Sequence, residues 1–418
     1  MPSDRPTAVP GMRRALPFRT GVTRPMERRR FIRLVGGGVV GAVAIASLPG
    51  CSSDFPAEAL QAWRGPANRT ELRRWALAYA ILAPNSHNRQ PWQVDLRESD
   101  AITLYVDRER LLPMTDPWFR QIMVSQGCFI EALVIALQQR GVTAQVQLFP
   151  HGEFAPRQLD DRPVARISWD TGAALASPDP LHAQLLRRHT AKLDYDTSRP
   201  VAAATLDTLK SVLSDPGVQF GGTVDAARIE PLRTLCWESA RVELLTPRTV
   251  MESVQLTRIG PEEIARYRDG ISVNTLVPRL ADMVGAFDRS KPPPEGSTAY
   301  QQMMGRFEGH SKTSMGFVWL STPTAQHAAA HTTRSAEVNA GRAHMRLQLK
   351  ATELGLQMHP MSQAAQEFAE MKPYYDRLHA LLVGRPASEQ TVQMFSRIGY
   401  CAQQQHSPRR ALEEFVRA

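Results

Sequence analysis

The chain is poor in cysteine and in aromatic residues, and it carries none of the short signatures of the common hydrolases and nucleotide triphosphatases. Four cysteines in 418 residues are too few for a disulfide scaffold. The three beyond Cys51 (Cys128, Cys236 and Cys401) are odd in number and lie in apolar stretches, so no disulfide framework is expected. No G-x-S-x-G or Walker A pattern occurs in the body of the chain, which removes the anchor for hydrolase and P-loop readings. A composition of 43% hydrophobic and 22% charged residues excludes collagen-like and wholly disordered chains. The length corresponds to two or three domain-sized units, enough to bury a large core.

The formal charge of +9 is not spread evenly. Nine arginines fall within residues 1–50 against only Asp4 and Glu27, so the remainder is close to neutral. Nucleic acid is therefore not an expected partner. Arg28-Arg29-Arg30-Phe31-Ile32-Arg33 precedes an uncharged run, Leu34–Gly50, which is the layout of a signal peptide and short for a permanent span. The Arg28-Arg29-x-Phe31-Ile32-Arg33 pattern resembles the twin-arginine export motif, a route used by proteins that fold, often around a cofactor, before export. The run ends Leu48-Pro49-Gly50-Cys51, similar to a bacterial lipobox with Cys51 as the lipidated residue. The expectation is an exported protein, periplasmic or held at the membrane through its leader or a lipid on Cys51. Residues 1–25, rich in arginine and proline, read either as a disordered extension or as a misassigned start ahead of Met26. Gly36, Gly38 and Gly41 satisfy G-x-G-x-x-G, but no strand precedes them, so no dinucleotide site is read there.

The body contains one internal echo. Gly127 to Gly141 and Gly341 to Gly355 enclose helical stretches of equal length, each closed by a glycine suited to a helix C-terminus and followed by a short extended segment. Leu133 and Leu347, and Ile135 and Leu349, coincide at the same offset. We read two copies of one α+β unit, a first half over 55–179 and a second over 180–418, joined near Pro178 and Pro180. Helices are expected over 58–82, 117–140, 180–188, 205–213, 230–244, 325–354 and 373–383, and strands over 93–96, 102–106, 144–149, 164–169, 317–321 and 392–400. The stretch 258–315, with its Pro292-Pro293-Pro294-Glu295-Gly296 run, reads as an irregular, lid-like insertion.

Four segments carry candidate chemistry. Ser86-His87-Asn88-Arg89-Gln90-Pro91-Trp92 places short polar side chains in a loop between a helix and a strand; the plain alternative is a capping turn. In Arg188-His189-Thr190-Ala191-Lys192 alternate residues present two cations around a hydroxyl, which suits a phosphate; taken alone, the segment reads better as a solvated basic turn. Pro360-Met361-Ser362-Gln363 follows the long helix, and Ser407-Pro408-Arg409-Arg410 lies near the terminus. His327 and His331 are spaced for zinc on a helix, but no H-E-x-x-H glutamate or third ligand accompanies them, and no metal is expected.

Taken together, these segments resemble the FMN-dependent nitroreductase family over most of residues 60–418. The Ser-x-Asn-x-Gln-Pro-Trp loop comes ahead of the Arg-x-Thr-x-Lys segment, an order similar to the fused, Acg-type members. The resemblance implies an α+β nitroreductase-like fold: two copies forming an internal pseudo-dimer, with antiparallel or mixed sheets flanked by helices, monomeric as a chain. It implies one FMN held by Ser86, Asn88 and Gln90 from the first half. The second half would add Arg188, Thr190, Lys192, the turn Pro360, Met361, Ser362 and Gln363, and the terminal Arg409 and Arg410. Arg188, Thr190 and the terminal arginines would hold the phosphate and ribityl chain, Lys192 would lie near the pyrimidine end of the ring, and backbone groups of Met361 and Ser362 near its central nitrogen. No catalytic side chain is singled out, because the chemistry is the flavin's. Thr190 stands where the family has serine, and Ser362 where an acidic residue is common. The twin site should be defective: only Arg73-Arg74 lies ahead of Trp75, and Ser214-Asp215-Pro216-Gly217 replaces the second Gln-Pro-Trp loop. The implied function is two-electron reduction of a nitroaromatic, quinone or similar small acceptor, with NAD(P)H or a membrane- or quinone-linked reductant as donor. The alternative is a flavin-sequestering protein whose lid covers FMN.

Overall fold

Two long, largely buried helices set the architecture. Arg120–Gln139 is buried along most of its length, and Arg334–Glu353 packs across it. A computed structural model of the chain describes residues 53–172, 174–285, 287–324 and 332–417. The expected leader, Cys51, His327 and His331 lie outside the described residues.

In chain order the first part forms α1 (Leu72–Ala80), β1 (Trp92–Asp95), β2 (Ala101–Val106), α2 (Arg120–Gln139), β3 (Gln145–Leu148) and β4 (Ala165–Ser168). Next come α3 (Ala204–Lys210), β5 (Gln219–Thr223), α4 (Ala226–Leu245) and α5 (Pro247–Gln255). The stretch expected to be irregular holds β6 (Thr257–Ile259), α6 (Gly260–Tyr267), β7 (Ile271–Val273), α7 (Leu276–Met283) and α8 (Thr298–Lys312). The chain ends with β8 (Gly316–Pro323), α9 (Arg334–Glu353), β9 (Gln357–Pro360), α10 (Lys372–Leu382) and β10 (Gln390–Gly399).

Two four-stranded antiparallel sheets share one strand order, β1-β2-β4-β3 and β5-β8-β10-β9. In each, the long helix links the second strand to the third. Gly141 and Gly355 end the two helices with φ of 77° and 66°, the left-handed conformation glycine adopts without strain. Gly127 and Gly341 let the helix backbones touch. A methyl group on Gly127 would stand 1.9 Å from the Val338 carbonyl, and one on Gly341 2.0 Å from the Val124 carbonyl. Each glycine thus meets the residue three positions before its counterpart, a reciprocal contact across the crossing. Around it, Glu131 binds Arg342 and Arg346 at 2.8 and 2.9 Å.

Three helix expectations are corrected. The helix read over 58–82 is broken: a 3-10 segment, Ala57–Arg64, ends at Gly65 (φ 75°) and Pro66 before α1 begins. Pro180–Gln184 is a short 3-10 turn, not a helix to 188, which frees Arg188–Lys192 from helical geometry. The insertion is largely helical: its apolar residues do recur at helical spacing, and Pro261, at the first turn of α6, starts a helix rather than breaking one. A return of the chain matters most for the site. After β10 the terminal segment runs back to the first sheet, where the Arg417 N–H donates to the Val94 carbonyl at 2.8 Å and Val416 bridges Val94.

Candidate functional site

The loop after α1 is wound against its own preferences. His87, Asn88 and Gln90 have φ of 47°, 51° and 53°, a left-handed conformation that costs non-glycine residues free energy and concentrates at functional sites. Hydrogen bonds hold it. The Gln90 N–H donates to Asn85 Oδ1 at 2.7 Å, and Gln90 Nε2 to the carbonyls of Asn88 and Arg268 at 3.2 and 2.8 Å. Ser86 Oγ donates to Gln121 Oε1 of α2 at 3.0 Å. Asn88 reaches the returning terminus: its Nδ2 donates to the Pro408 carbonyl at 2.9 Å, and its Oδ1 accepts a short bond from Arg409.

Arg188 and Arg409 meet at this loop. Both are buried, at 2% and 4% exposure, and both donate to the Leu82 carbonyl, at 2.8 and 3.2 Å. Both guanidinium groups lie over the Trp63 ring, 5.5 and 5.3 Å from its centre, and that ring stacks on His406 at 3.9 Å. Their other acceptors are Gln348 Oε1 for Arg188, and Asn88 Oδ1 with the Pro408 and Ala83 carbonyls for Arg409. None is acidic. Burial pushes Arg188 down to about 10, and burial with the neighbouring Arg188 drives Arg409 well below its ordinary range. Two buried cations without a counter-ion are costly unless an anion joins them. Among the described residues, the Nε atoms of both arginines, His189 Nε2, His406 Nε2 and His87 Nδ1 are buried without a hydrogen-bond partner. This is a donor-rich cradle for a phosphate, and it fits the phosphate end of FMN.

Gln348 on α9, invisible as a site residue in the sequence, orders the segment. Its Oε1 accepts from Arg188 at 3.1 Å, and its Nε2 donates to Thr190 Oγ1 at 3.1 Å and toward the Met358 carbonyl. Lys192 is open to water yet enclosed enough that burial, then Arg306 and Arg409, lower it to about 8. Burial likewise lowers Arg306 of α8 although its side chain reaches solvent. His310 contacts the Lys192 carbonyl at 3.0 Å and His359 accepts from Arg397 at 3.1 Å. Burial holds His87 and His406 near 4 and His310 near 3, so at neutral pH these rings are neutral hydrogen-bonding groups. The positive charge belongs to Arg188, Lys192, Arg306, Arg397 and Arg409.

The remaining expected residues divide. Met361 is buried, its N–H donating to the Phe395 carbonyl at 2.8 Å; Pro360 pairs with Ser396 at the end of β9; and Ser362 precedes a 3-10 turn. Gln363 turns back onto Glu243, whose carboxyl burial raises to about 7. Arg410 is not the equal of Arg409. Its side chain pairs with Glu414 at 3.2 Å and Asp107 at 3.8 Å, and only its backbone N–H reaches Gln90 Oε1, at 2.9 Å. The segments named for a twin site close on themselves: Arg73 binds Glu71 and the carbonyls of Leu96 and Glu98, and Asp215 caps Gly217. A separate hollow of about 560 Å3 is lined by Arg108, Phe119 and Arg157 among others, but Arg108 there is paired with Asp161 at 3.2 Å.

The insertion is fastened over the loop. The Gly270 N–H donates to the Asn88 carbonyl, and Asp269 binds Arg89, Arg110 and Arg258 at 3.1, 2.8 and 3.0 Å. One carboxylate at 4% exposure is thus shared by three guanidinium groups, of which Arg110 also pairs with Asp107 at 3.2 Å. Asp269→Asn should lower stability by about 3–5 kcal/mol, since three cations lose their shared anion. The urea midpoint is the measurement, and an unchanged midpoint would show that solvent, not Asp269, balances them.

Lys192 gives a pH dependence. Its pKa of about 8 lies below the ordinary lysine value, so the proton that attracts an anion leaves as pH rises through 8. Where the FMN phosphate is already a dianion, above about pH 7, FMN affinity should weaken as pH rises past 8, by up to tenfold per unit until the pKa of the ligated form is passed. Lys192→Met should remove the slope, as read by fluorescence titration.

No family model matches the chain. Over 82 residues it is 32% identical to the acg protein of Mycobacterium tuberculosis, provisionally named an NAD(P)H nitroreductase; the match covers 20% of this chain and 24% of that protein. A second protein of that organism with the same provisional name is 34% identical over 80 residues, 19% of this chain and 23% of its own. The chain therefore spans about a quarter of the length of these curated relatives. Among solved structures, a provisionally named nitroreductase from Anabaena variabilis aligns with a TM-score of 0.36 and 9% identity, over 86% of this chain and 96% of that one. The FMN-dependent nitroreductase NfnB of Mycobacterium smegmatis, solved with NADPH, aligns with a TM-score of 0.30 and 17% identity, over 56% and 94%. The chain is thus locally similar in sequence to proteins that carry a nitroreductase name.

Proposed function

We propose that the chain is an FMN-binding oxidoreductase of the nitroreductase family that reduces an electron-poor small molecule by two electrons. The observation that carries this reading is the pair of buried, acid-free arginines, Arg188 and Arg409, facing the strained Ser86–Gln90 loop. When bound, FMN supplies the hydride chemistry. The chain's part is to hold the phosphate with Arg188 and Arg409, to fix Thr190 through Gln348, and to supply positive charge at Lys192 that favours a negatively charged reduced cofactor.

The shared strand order of the two sheets and the reciprocal glycine contact support the further proposal that the chain is two fused copies of one unit, acting as its own dimer. Among the described residues, only one site then has both the loop and the cations. Purified protein should hold one FMN per chain by absorbance. Two per chain, or none after FMN is added, would refute the reading.

The fastening of Arg268–Gly270 over the loop favours a second reading, flavin sequestration. Turnover of a nitro compound, before and after deletion of Pro292–Ser297, separates the two, and no turnover in either form favours sequestration. For the donor, the names of the curated relatives support NAD(P)H. The leader supports export, lipidation at Cys51 and a quinone- or membrane-linked reductant, since an exported protein meets little NAD(P)H. Rapid bleaching of the flavin by NADPH would decide for the former.

A further inference from the structure

Helix α7 is the least buried helix of the described chain. None of its residues is buried, yet Leu276, Val277, Leu280 and Met283, continued by Val284, recur at positions that share one face of a helix. Met283 and Val284 are 81% and 78% exposed and Val277 56%. A contiguous apolar stripe of this kind on a water-facing helix marks a contact surface.

What covers it is indicated by where the chain comes from. Asn274, two residues before α7, is buried and donates from Nδ2 to the Asp54 carbonyl at 2.6 Å. Asp54 lies three residues after Cys51, and three extended residues reach about 10 Å. Upstream stands the uncharged run Leu34–Gly50. The described chain therefore enters beside the N-terminal end of α7, and a lipid on Cys51 would attach within about 10 Å of Asp54. The charged residues of 257–297 balance in sign, so apolar insertion, not attraction to anionic headgroups, would drive the contact.

We infer that α7 is an in-plane membrane-docking helix that lays Val277, Leu280, Met283 and Val284 into the interfacial region of the bilayer. Because α7 belongs to the same segment as the Arg268–Gly270 cover, docking would set that cover against the lipid surface.

The test is hydrogen exchange on the full chain, with and without phosphatidylcholine vesicles. Amides of 276–284 should exchange at least tenfold more slowly on vesicles, and equally so when one fifth of the lipid is replaced by phosphatidylglycerol. A Val277→Glu/Met283→Glu variant should lose this slowing while its flavin absorbance and its vesicle flotation through the leader are retained. Flotation of the wild type with unchanged exchange of 276–284 would overturn the inference. So would slowing that appears without vesicles as protein concentration rises, because a second copy would then cover the stripe. The wild-type comparison needs no variant to fold, and flavin content, read separately in each sample, keeps this result distinct from the proposed function.

Discussion

Arg188→Gln and Arg409→Gln should each weaken FMN binding by about 2–5 kcal/mol, the cost of truncating one partner of a buried charged contact, which is roughly thirtyfold to several thousandfold in the dissociation constant. The size follows from the surroundings. Among the described residues neither guanidinium has an acidic partner, so a bound phosphate would balance both charges, and low-dielectric walls would strengthen that pairing. Arg410→Gln is the control. Its side chain is engaged by Glu414 and Asp107, so the change should lower stability more than FMN affinity. Quenching of FMN fluorescence on titration measures all three. Equal losses at Arg409 and Arg410 would show that the acid-free cradle is not the binding site. In the same logic, inorganic phosphate should raise the melting temperature of the wild type and leave that of Arg188→Gln nearly unmoved, because a ligand stabilises only through its own affinity for the folded state.

Gly127→Ala and Gly341→Ala should each cost about 3 kcal/mol or more, beyond the usual penalty for overpacking. The added methyl groups would meet backbone carbonyls at 1.9 and 2.0 Å, and backbone in the middle of two buried helices cannot yield without separating them. The proposed flavin site should suffer as well. Gln348, which orders Arg188 and Thr190, rides on α9, and Gln121, which holds Ser86, rides on α2. Gly305→Ala in α8 is the matched comparison: nothing lies within 4 Å of the added carbon, and helix propensity alone should stabilise by up to about 1 kcal/mol. Urea midpoints measure the three, and a mild effect at Gly341 would mean the helices slide apart at little cost.

The paired Gly127–Gly141 and Gly341–Gly355 steps were legible because glycine carries two distinct signals there. The outer glycines end helices, which is a local property of φ, and the inner ones permit contact, which shows only as a missing side chain at a repeated spacing. Strands β1, β2, β4 and β10 were readable for a similar reason, since alternate or continuous apolar residues between turns state which face is buried. The helix over 58–82 was misread because the periodicity continues through Gly65 and Pro66, whose effect depends on whether packing rewards a break. The insertion was misread because its proline run drew attention from the amphipathic spacing on either side.

For the site, the residue types were visible and their inequality was not. Arg409 and Arg410 are neighbours of identical chemistry, yet one faces Asn88 and backbone carbonyls and the other faces Glu414. Gln348 and Arg306 left no mark in the sequence, because an interior glutamine and a helix arginine look ordinary until their neighbours in space are known.

By itself, then, the order of residues determined the repeated helix, the loop at Ser86–Trp92 and the alternating cations at Arg188–Lys192, all consequences of local backbone preference and spacing. The tertiary structure decided which cations stand without an acid, which loop is strained and which apolar face stays bare. Those are properties of burial and charge balance, and both depend on groups that the chain brings together from hundreds of residues apart.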